Sequence, residues 1–222
     1  MQITIDAKIF KALAKMPFSA DVTRTCLMGV RFDPCVGGGA IVATDGYMQA
    51  VIGLSGIECA EPFTLSSNFI KRALKTVKLR KRSDAAVTLT TDGRAVTAEF
   101  EGETTTDKFA VLEEDFPNYR QVCPAPKTLF GLEPGQVQGY NPALVGRAMG
   151  LVDALPPVTT INIAHWMPAA NQTAPSVLIS RHNSYLHGDF TLAQILMPVR
   201  NDGAPREDYA KALEFLKQSE GA

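Results

Sequence analysis

The chain has 222 residues, 45% of them apolar, and a formal net charge of −1. That is enough for one large or two small domains with real cores. No cationic start leads into an apolar run, and no apolar stretch approaches membrane-spanning length, so neither a secretory leader nor a membrane span is expected, and the chain reads as cytoplasmic.

The charge is segregated along the chain. Residues 1–90 carry twelve Lys/Arg against seven Asp/Glu, and residues 91–126 carry three against eight. Cys26, Cys35, Cys59 and Cys123 show no C-x-x-C spacing and read as reduced packing cysteines. A zinc site is disfavoured because His165, His182 and His187 lie far from them in sequence.

Gln2–Ile5 alternates like a short strand. Asp6 is a candidate N-cap for a helix over Ala7–Met16, with Phe10 and Leu13 on its apolar stripe, Lys8, Lys11 and Lys15 on another face, and Pro17 to end it. Arg24–Phe32 alternates as a strand, Asp33–Gly39 forms a turn, and Ile41–Thr44 is a strand running into Asp45-Gly46. Asp45 can bond the backbone ahead of it and Gly46 accepts positive φ. Strand character resumes at Ala50 and runs through Leu54, so the corner would present Tyr47 and Met48 at a surface. The order is β-α-β-β-β.

The same order follows again. Pro62–Leu65 is a strand, Ser66 or Ser67 caps a helix to about Lys78, Ala86–Thr91 and Ala95–Phe100 form a hairpin across Asp92-Gly93, and Thr104–Ala110 is the last strand. Each unit alone leaves a sheet face and edges uncovered; two together make a two-layer α+β domain. After a stiff Cys123–Pro126 linker comes one more unit. It consists of a strand at Gln136–Tyr140, a helix from Asn141-Pro142 to about Ala154, and strands over Val158–Ala164, Ser176–Ser180 and Phe190–Val199. A polar loop lies at Pro168–Pro175. A final helix covers Ala204–Gln218.

Three distant stretches carry a resemblance. Ala43-Thr44-Asp45-Gly46, then Phe116-Pro117-Asn118-Tyr119-Arg120-Gln121-Val122, then Ile195-Leu196-Met197-Pro198-Val199-Arg200 are similar, in order and spacing, to three signatures of the bacterial β-type DNA sliding clamp. The match covers most of residues 1–200. It implies a DNA-clamp fold of β-α-β-β-β half-domain units: a full clamp domain over 1–124, and a half-domain with an extra C-terminal helix over 125–222. The family chain has six such units, so this one corresponds to its middle domain and the second half of its last.

The resemblance also implies a site. In the family these segments converge on an apolar pocket between domains, where polymerases and repair proteins dock a short peptide. Carried over, the pocket takes Thr44, Gly46, Tyr47, Met48, Pro117, Tyr119, Arg120, Val122, Met197, Pro198, Val199 and Arg200. Such a groove suits a few Leu/Phe anchors of an extended peptide. The chain departs from the family at Tyr47-Met48-Gln49, where His-Arg-Leu is common, and at Gln121, where a second Arg is frequent. The groove should be less basic and more polar on one wall.

A second implied surface is electrostatic. Lys71, Arg72, Lys75, Lys78, Arg80, Lys81 and Arg82 make seven cations in twelve residues. The resemblance puts them on one face with Lys8, Lys11 and Lys15, suited to non-specific contact with duplex DNA; on a generic protein the same run is a solvated helix face. No aromatic residue lies in the run, so base stacking is not indicated.

The third unit's helix is apolar on most of its circumference and is expected to be buried. Its partner is either the C-terminal helix or the same helix of a second chain; a homodimer is preferred, because an orphan unit exposes sheet edges. No nucleophile–base pair, phosphate loop or metal spacing accompanies Asp45 or Glu113-Glu114-Asp115, so neither enzyme activity nor a cofactor is expected. The expected function is a clamp-like replication or repair accessory protein. It would be loaded by an ATPase if it closes into a ring. The alternative is a non-encircling decoy that sequesters clamp-binding proteins.

Overall fold

The computed structural model describes residues 1–57, 60–76, 85–108, 110–123, 129–130, 140–166 and 175–197. Expectations for residues 136–139, for Pro198, Val199 and Arg200, for the helix over Ala204–Gln218, and for Lys78, Arg80, Lys81 and Arg82 lie outside those residues.

The first unit is β1 (Gln2–Asp6), α1 (Ala7–Leu13), β2 (Gly29–Cys35), β3 (Gly38–Thr44) and β4 (Met48–Ser55). Asp6 caps α1, its carboxylate accepting the Lys8 backbone N–H at 2.7 Å. The helix is shorter than its periodicity suggests. Its last turn closes through Lys15 N–H to Ala12 and Met16 N–H to Leu13, because Pro17 keeps Met16 out of the helical region. The strand expected over Arg24–Phe32 begins only at Gly29; Arg24–Met28 is instead a turn and a 3-10 helix over Thr25–Leu27. Asp21 accepts both the backbone N–H and the hydroxyl of Thr23, a local bond that competes with extension.

The β2–β3 turn is only Val36-Gly37, with Gly37 at φ +78. Gly38 and Gly39 are strand residues rather than flexible turn. A Cβ on Gly38 would lie 2.1 Å from the Leu54 carbonyl oxygen, so this close backbone approach requires glycine.

The second unit is β5 (Phe63–Ser66), α2 (Ser67–Thr76), β6 (Ala86–Thr91), β7 (Val96–Phe100) and β8 (Glu103–Asp107). Ser66 is the cap; its hydroxyl accepts the Phe69 N–H at 3.2 Å. The expected last strand, Thr104–Ala110, ends early: β8 stays with β7 and stops at Asp107, and a separate short strand beyond it, β9 (Val111–Leu112), crosses to pair with β5.

Each unit places its first strand in the other's sheet. β1 pairs with β6, and β5 pairs with β2. The exchange covers edges that either unit alone would expose. Both helices and both sheets contribute to one core, which includes Ile5, Phe10, Leu13, Phe32, Ile52, Leu65, Phe69, Ile70 and Leu89.

The third unit follows β10 (Leu129–Phe130) and comprises α3 (Pro142–Ala154), β11 (Val158–Trp166), β12 (Ser176–Ser184) and β13 (Gly188–Leu196). Asn141 caps α3 by accepting the Ala143 N–H at 2.9 Å, with Pro142 in the first turn. β13 pairs antiparallel with β4 from Thr191–Gly53 to Leu196–Met48. The two sheets are therefore β1-β6-β7-β8 and a nine-stranded β10-β11-β12-β13-β4-β3-β2-β5-β9.

The third unit is thus continuous with the first through the β13–β4 pairing. α3 turns Ala148, Leu151, Val152 and Leu155 into the common core, against α1 and β13. Val145 and Met149 are each 41% exposed. The helix is apolar on both faces, and one of them closes this core. No helix among the described residues is long and apolar enough to cross a membrane.

Candidate interaction cleft

The corner between β3 and β4 is held by its own side chains. The Asp45 carboxylate accepts the backbone N–H groups of Tyr47 and Met48 at 2.9 and 2.8 Å. The Thr44 hydroxyl donates to the Met48 carbonyl at 2.9 Å and accepts the Gly46 N–H at 3.1 Å. Gly46 sits at φ +91, a conformation that a Cβ disfavours. The second Asp45 oxygen meets the Arg147 guanidinium of α3 at 2.6 Å. The third unit is thus tied to the first at the corner itself.

From this corner Tyr47 projects outward, 67% exposed. Met48 does not project with it, contrary to expectation. The strand alternation that sends Tyr47 out sends Met48 into the core, 2% exposed. The Tyr47 carbonyl accepts the Met197 N–H at 3.0 Å, continuing the β4–β13 ladder one step and fixing Met197 beside the corner.

The second wall is the 3-10 turn Tyr119–Val122. Tyr119 is buried. Its hydroxyl donates to Asp33 at 3.0 Å, and its ring meets Phe116 edge-on with centroids 6.3 Å apart. Burial raises its phenol pKa, so it remains a neutral donor. Buried Gln49 reaches across from β4, its amide donating to the Tyr119 carbonyl at 3.4 Å and to the Cys123 sulfur at 3.2 Å. Burial raises the Cys123 thiol pKa, which argues against a reactive thiolate there.

The three distant stretches therefore meet. A cleft of about 270 Å³ is lined by Leu27, Thr44, Gly46, Tyr47, Met48, Gln49, Pro117, Asn118, Tyr119, Val122, Ile195 and Met197. Eight of the residues expected at a docking site are among them: Thr44, Gly46, Tyr47, Met48, Pro117, Tyr119, Val122 and Met197. Arg120 is not. It leans the other way, over the Tyr119 ring and toward Asp33.

Leu27, Gln49, Asn118 and Ile195 were not anticipated as site residues. Asn118 and Ile195 lie inside the quoted signatures, and Gln49 lies three residues after one, in the Tyr47-Met48-Gln49 departure. Leu27 carried no signal, because it belongs to the 3-10 helix read as strand. Arg24 also approaches; a Cβ on Gly46 would sit 3.4 Å from its guanidinium.

Of the expected cationic face, Lys11, Lys15, Lys71, Arg72 and Lys75 are exposed and Lys8 is half-buried. Lys15 lies beyond the end of α1. Arg72 is engaged by Asp107 of β8. Among the described residues no group of three or more His, Cys, Asp or Glu is placed to hold a metal ion.

No protein-family model and no curated protein matches this sequence. Solved structures do. They include the DNA polymerase sliding clamp of Pseudomonas aeruginosa (TM-score 0.63, 15% identity), the pol III beta of Caulobacter crescentus (0.62, 17%), and a putative DNA polymerase III beta subunit of Eubacterium rectale (0.66, 10%). Each match covers 90% of this chain and 66% of the other. The chain has the α+β fold of bacterial sliding clamps and spans about two thirds of the length of those it matches.

Proposed function

We propose that this chain, with its sliding-clamp fold, is a clamp-like accessory protein of DNA replication or repair that recruits partner proteins through the cleft beside Tyr47. The carrying observation is the convergence of Thr44–Met48, Pro117–Val122 and Met197 on one apolar slot. Met197, Val122 and Tyr47 are 46, 51 and 67% exposed, and apolar side chains that line a concave site while open to solvent suit Leu or Phe anchors of a docked peptide. Pro198, Val199 and Arg200 follow Met197 directly and belong to the same proposed site. Partners would be polymerases or repair proteins carrying such a peptide.

The lysines of α1 and α2, with the basic stretch through Arg82, supply non-specific contact with duplex DNA. Phosphate neutralisation positions a protein without reading sequence and tolerates sliding. Assembly into a homo-oligomer, and opening by a loader ATPase, follow if the protein encircles DNA in the cytoplasm.

The test is fluorescence anisotropy with a fluorescein-labelled Ala-Leu-Ala-Leu-Phe-Ala peptide. Replacing Tyr47 and Met197 together by alanine should weaken binding about tenfold or more, with an unchanged melting curve. Undiminished binding by that folded variant would remove the cleft from the account.

A further inference from the structure

The outer face of α3 is an apolar surface that the core leaves open. Val145 and Met149 are exposed there, and Ile161 of β11 adds to it from the sheet. Ile161 pairs with buried Ser180, two residues from core Leu178, so all three point to one side of the sheet. That side carries α3, because Gln194, the cross-strand partner of Leu178, donates to the Ala148 carbonyl at 3.1 Å. Ile161 is nevertheless 40% exposed. Gly146 and Gly150 lie on the exposed side of α3, and a Cβ on either would meet nothing within 4 Å. Glycine weakens a helix relative to alanine; here it leaves room for another backbone to approach.

The chain leaves the sheet beside this face. The Met197 N–H bonds the Tyr47 carbonyl at the corner where Asp45 holds Arg147 of α3. Val145 and Met149 stand two residues to either side of Arg147. Residues 198–222 follow Met197. Within them Tyr209, Leu213 and Leu216 recur at spacings of four and three, one stripe of the helix expected over Ala204–Gln218. A helix of that length spans about 22 Å and α3 about 20 Å. Residues 198–203 can reach about 20 Å, enough to turn back onto α3.

We infer that the segment Ala204–Gln218 docks in cis along the outer face of α3, with Tyr209, Leu213 and Leu216 set over Val145 and Met149. The first two units close one core with a helix from each; the segment gives the third unit a second helix from outside the repeat. The sequence allowed two occupants, this segment or a second copy of α3. Three partly exposed side chains fall far short of the roughly 1,200 Å² that a stable interface between free chains buries. A tethered segment, at an effective concentration of roughly millimolar, needs far less surface. The inference is independent of the docking slot beside Tyr47.

The experiment uses the full chain, methionine methyl NMR and trypsin. Leu213→Asp with Leu216→Asp changes no residue of the described core. It should move the Met149 methyl resonance, leave that of Met16 in place, and speed cleavage after Lys211 and Lys217 about tenfold or more, because cleavage follows the population of undocked segment. Met149→Asp should speed the same cleavages from the other side of the contact. In the wild type the Met149 resonance should not change on tenfold dilution. A Met149 resonance unmoved by the paired Asp substitutions overturns the inference, and so do cleavage rates unchanged by Met149→Asp. A Met149 resonance that shifts on dilution as the mass in solution falls gives the face to a second copy and overturns it equally.

Discussion

Asp45 serves two elements at once. One carboxylate oxygen closes the β3–β4 corner by accepting two backbone N–H groups, and the other holds Arg147, 102 residues away. The corner was legible from Thr44-Asp45-Gly46, because turn chemistry is local. The Arg147 contact was not, because nothing in a single chain announces a pair that only tertiary structure brings together. Asp45→Ala should cost about 2–3 kcal/mol, since it removes charge-assisted bonds to backbone donors. Arg147→Met should cost about 1 kcal/mol or less, because that end of the pair is 42% exposed. Urea unfolding of both single variants and the double variant checks this; a coupling energy of zero would mean the ion pair does not join α3 to the corner.

Elements with strong local signals lie where their residues placed them. β6 occupies Ala86–Thr91 as read, and α3 starts at Asn141-Pro142 and runs to Ala154. Elements whose bounds depend on partners do not. The Thr104–Ala110 stretch stops as strand at Asp107, and the chain next pairs at Val111–Leu112 with β5 in the other sheet; alternation along one strand cannot say which sheet receives it. The same holds for α3: its composition showed that it could be buried all round, not which face the core would take.

Two histidines at the third unit make a prediction at this scale. His182 stacks on Phe190, accepts or donates to the Ser180 hydroxyl at 2.7 Å, and donates to the Pro156 carbonyl at 2.8 Å. His187 donates to the Ser55 carbonyl at 3.2 Å, linking the β12–β13 hairpin to the end of β4. Burial lowers both imidazole pKa values, with the Asp6 charge pulling the other way at His187. The unfolded chain takes up these protons near pH 6.5, whereas the folded chain resists them. Stability should therefore hold above about pH 7 and fall as pH drops through 6.5. Urea midpoints at pH 7.5 and 5.5 measure it, and a midpoint no lower at pH 5.5 would contradict it.

For the molecule as a whole, the clamp fold was legible from three short signatures and a repeated element order, although overall identity to the matched clamps is only 10 to 17%. The continuity of the sheet through β13 and β4 was not legible, since strand periodicity carries no information about neighbours. If the lysines of α1 and α2 face DNA, binding must weaken steeply with salt, by roughly 0.9 in log K per log salt for each phosphate neutralised. Lys11→Gln with Lys71→Gln should lower that slope by about two contacts. An affinity that does not change between low and moderate salt would refute DNA contact through this face. Retention on closed circular DNA, with loss from linear DNA, would show encirclement; peptide binding without any DNA binding would instead favour the decoy.

The central claim is that the slot beside Tyr47 receives a peptide, and methionine methyl NMR tests it directly. Among the described methionines, Met48 and Met197 line the slot and Met1 and Met16 do not. Titrating the Leu/Phe peptide should shift the methyl resonance of Met197, which is 46% exposed, and leave those of Met1 and Met16 in place. Saturated binding with the Met197 methyl unmoved would show that the peptide docks elsewhere.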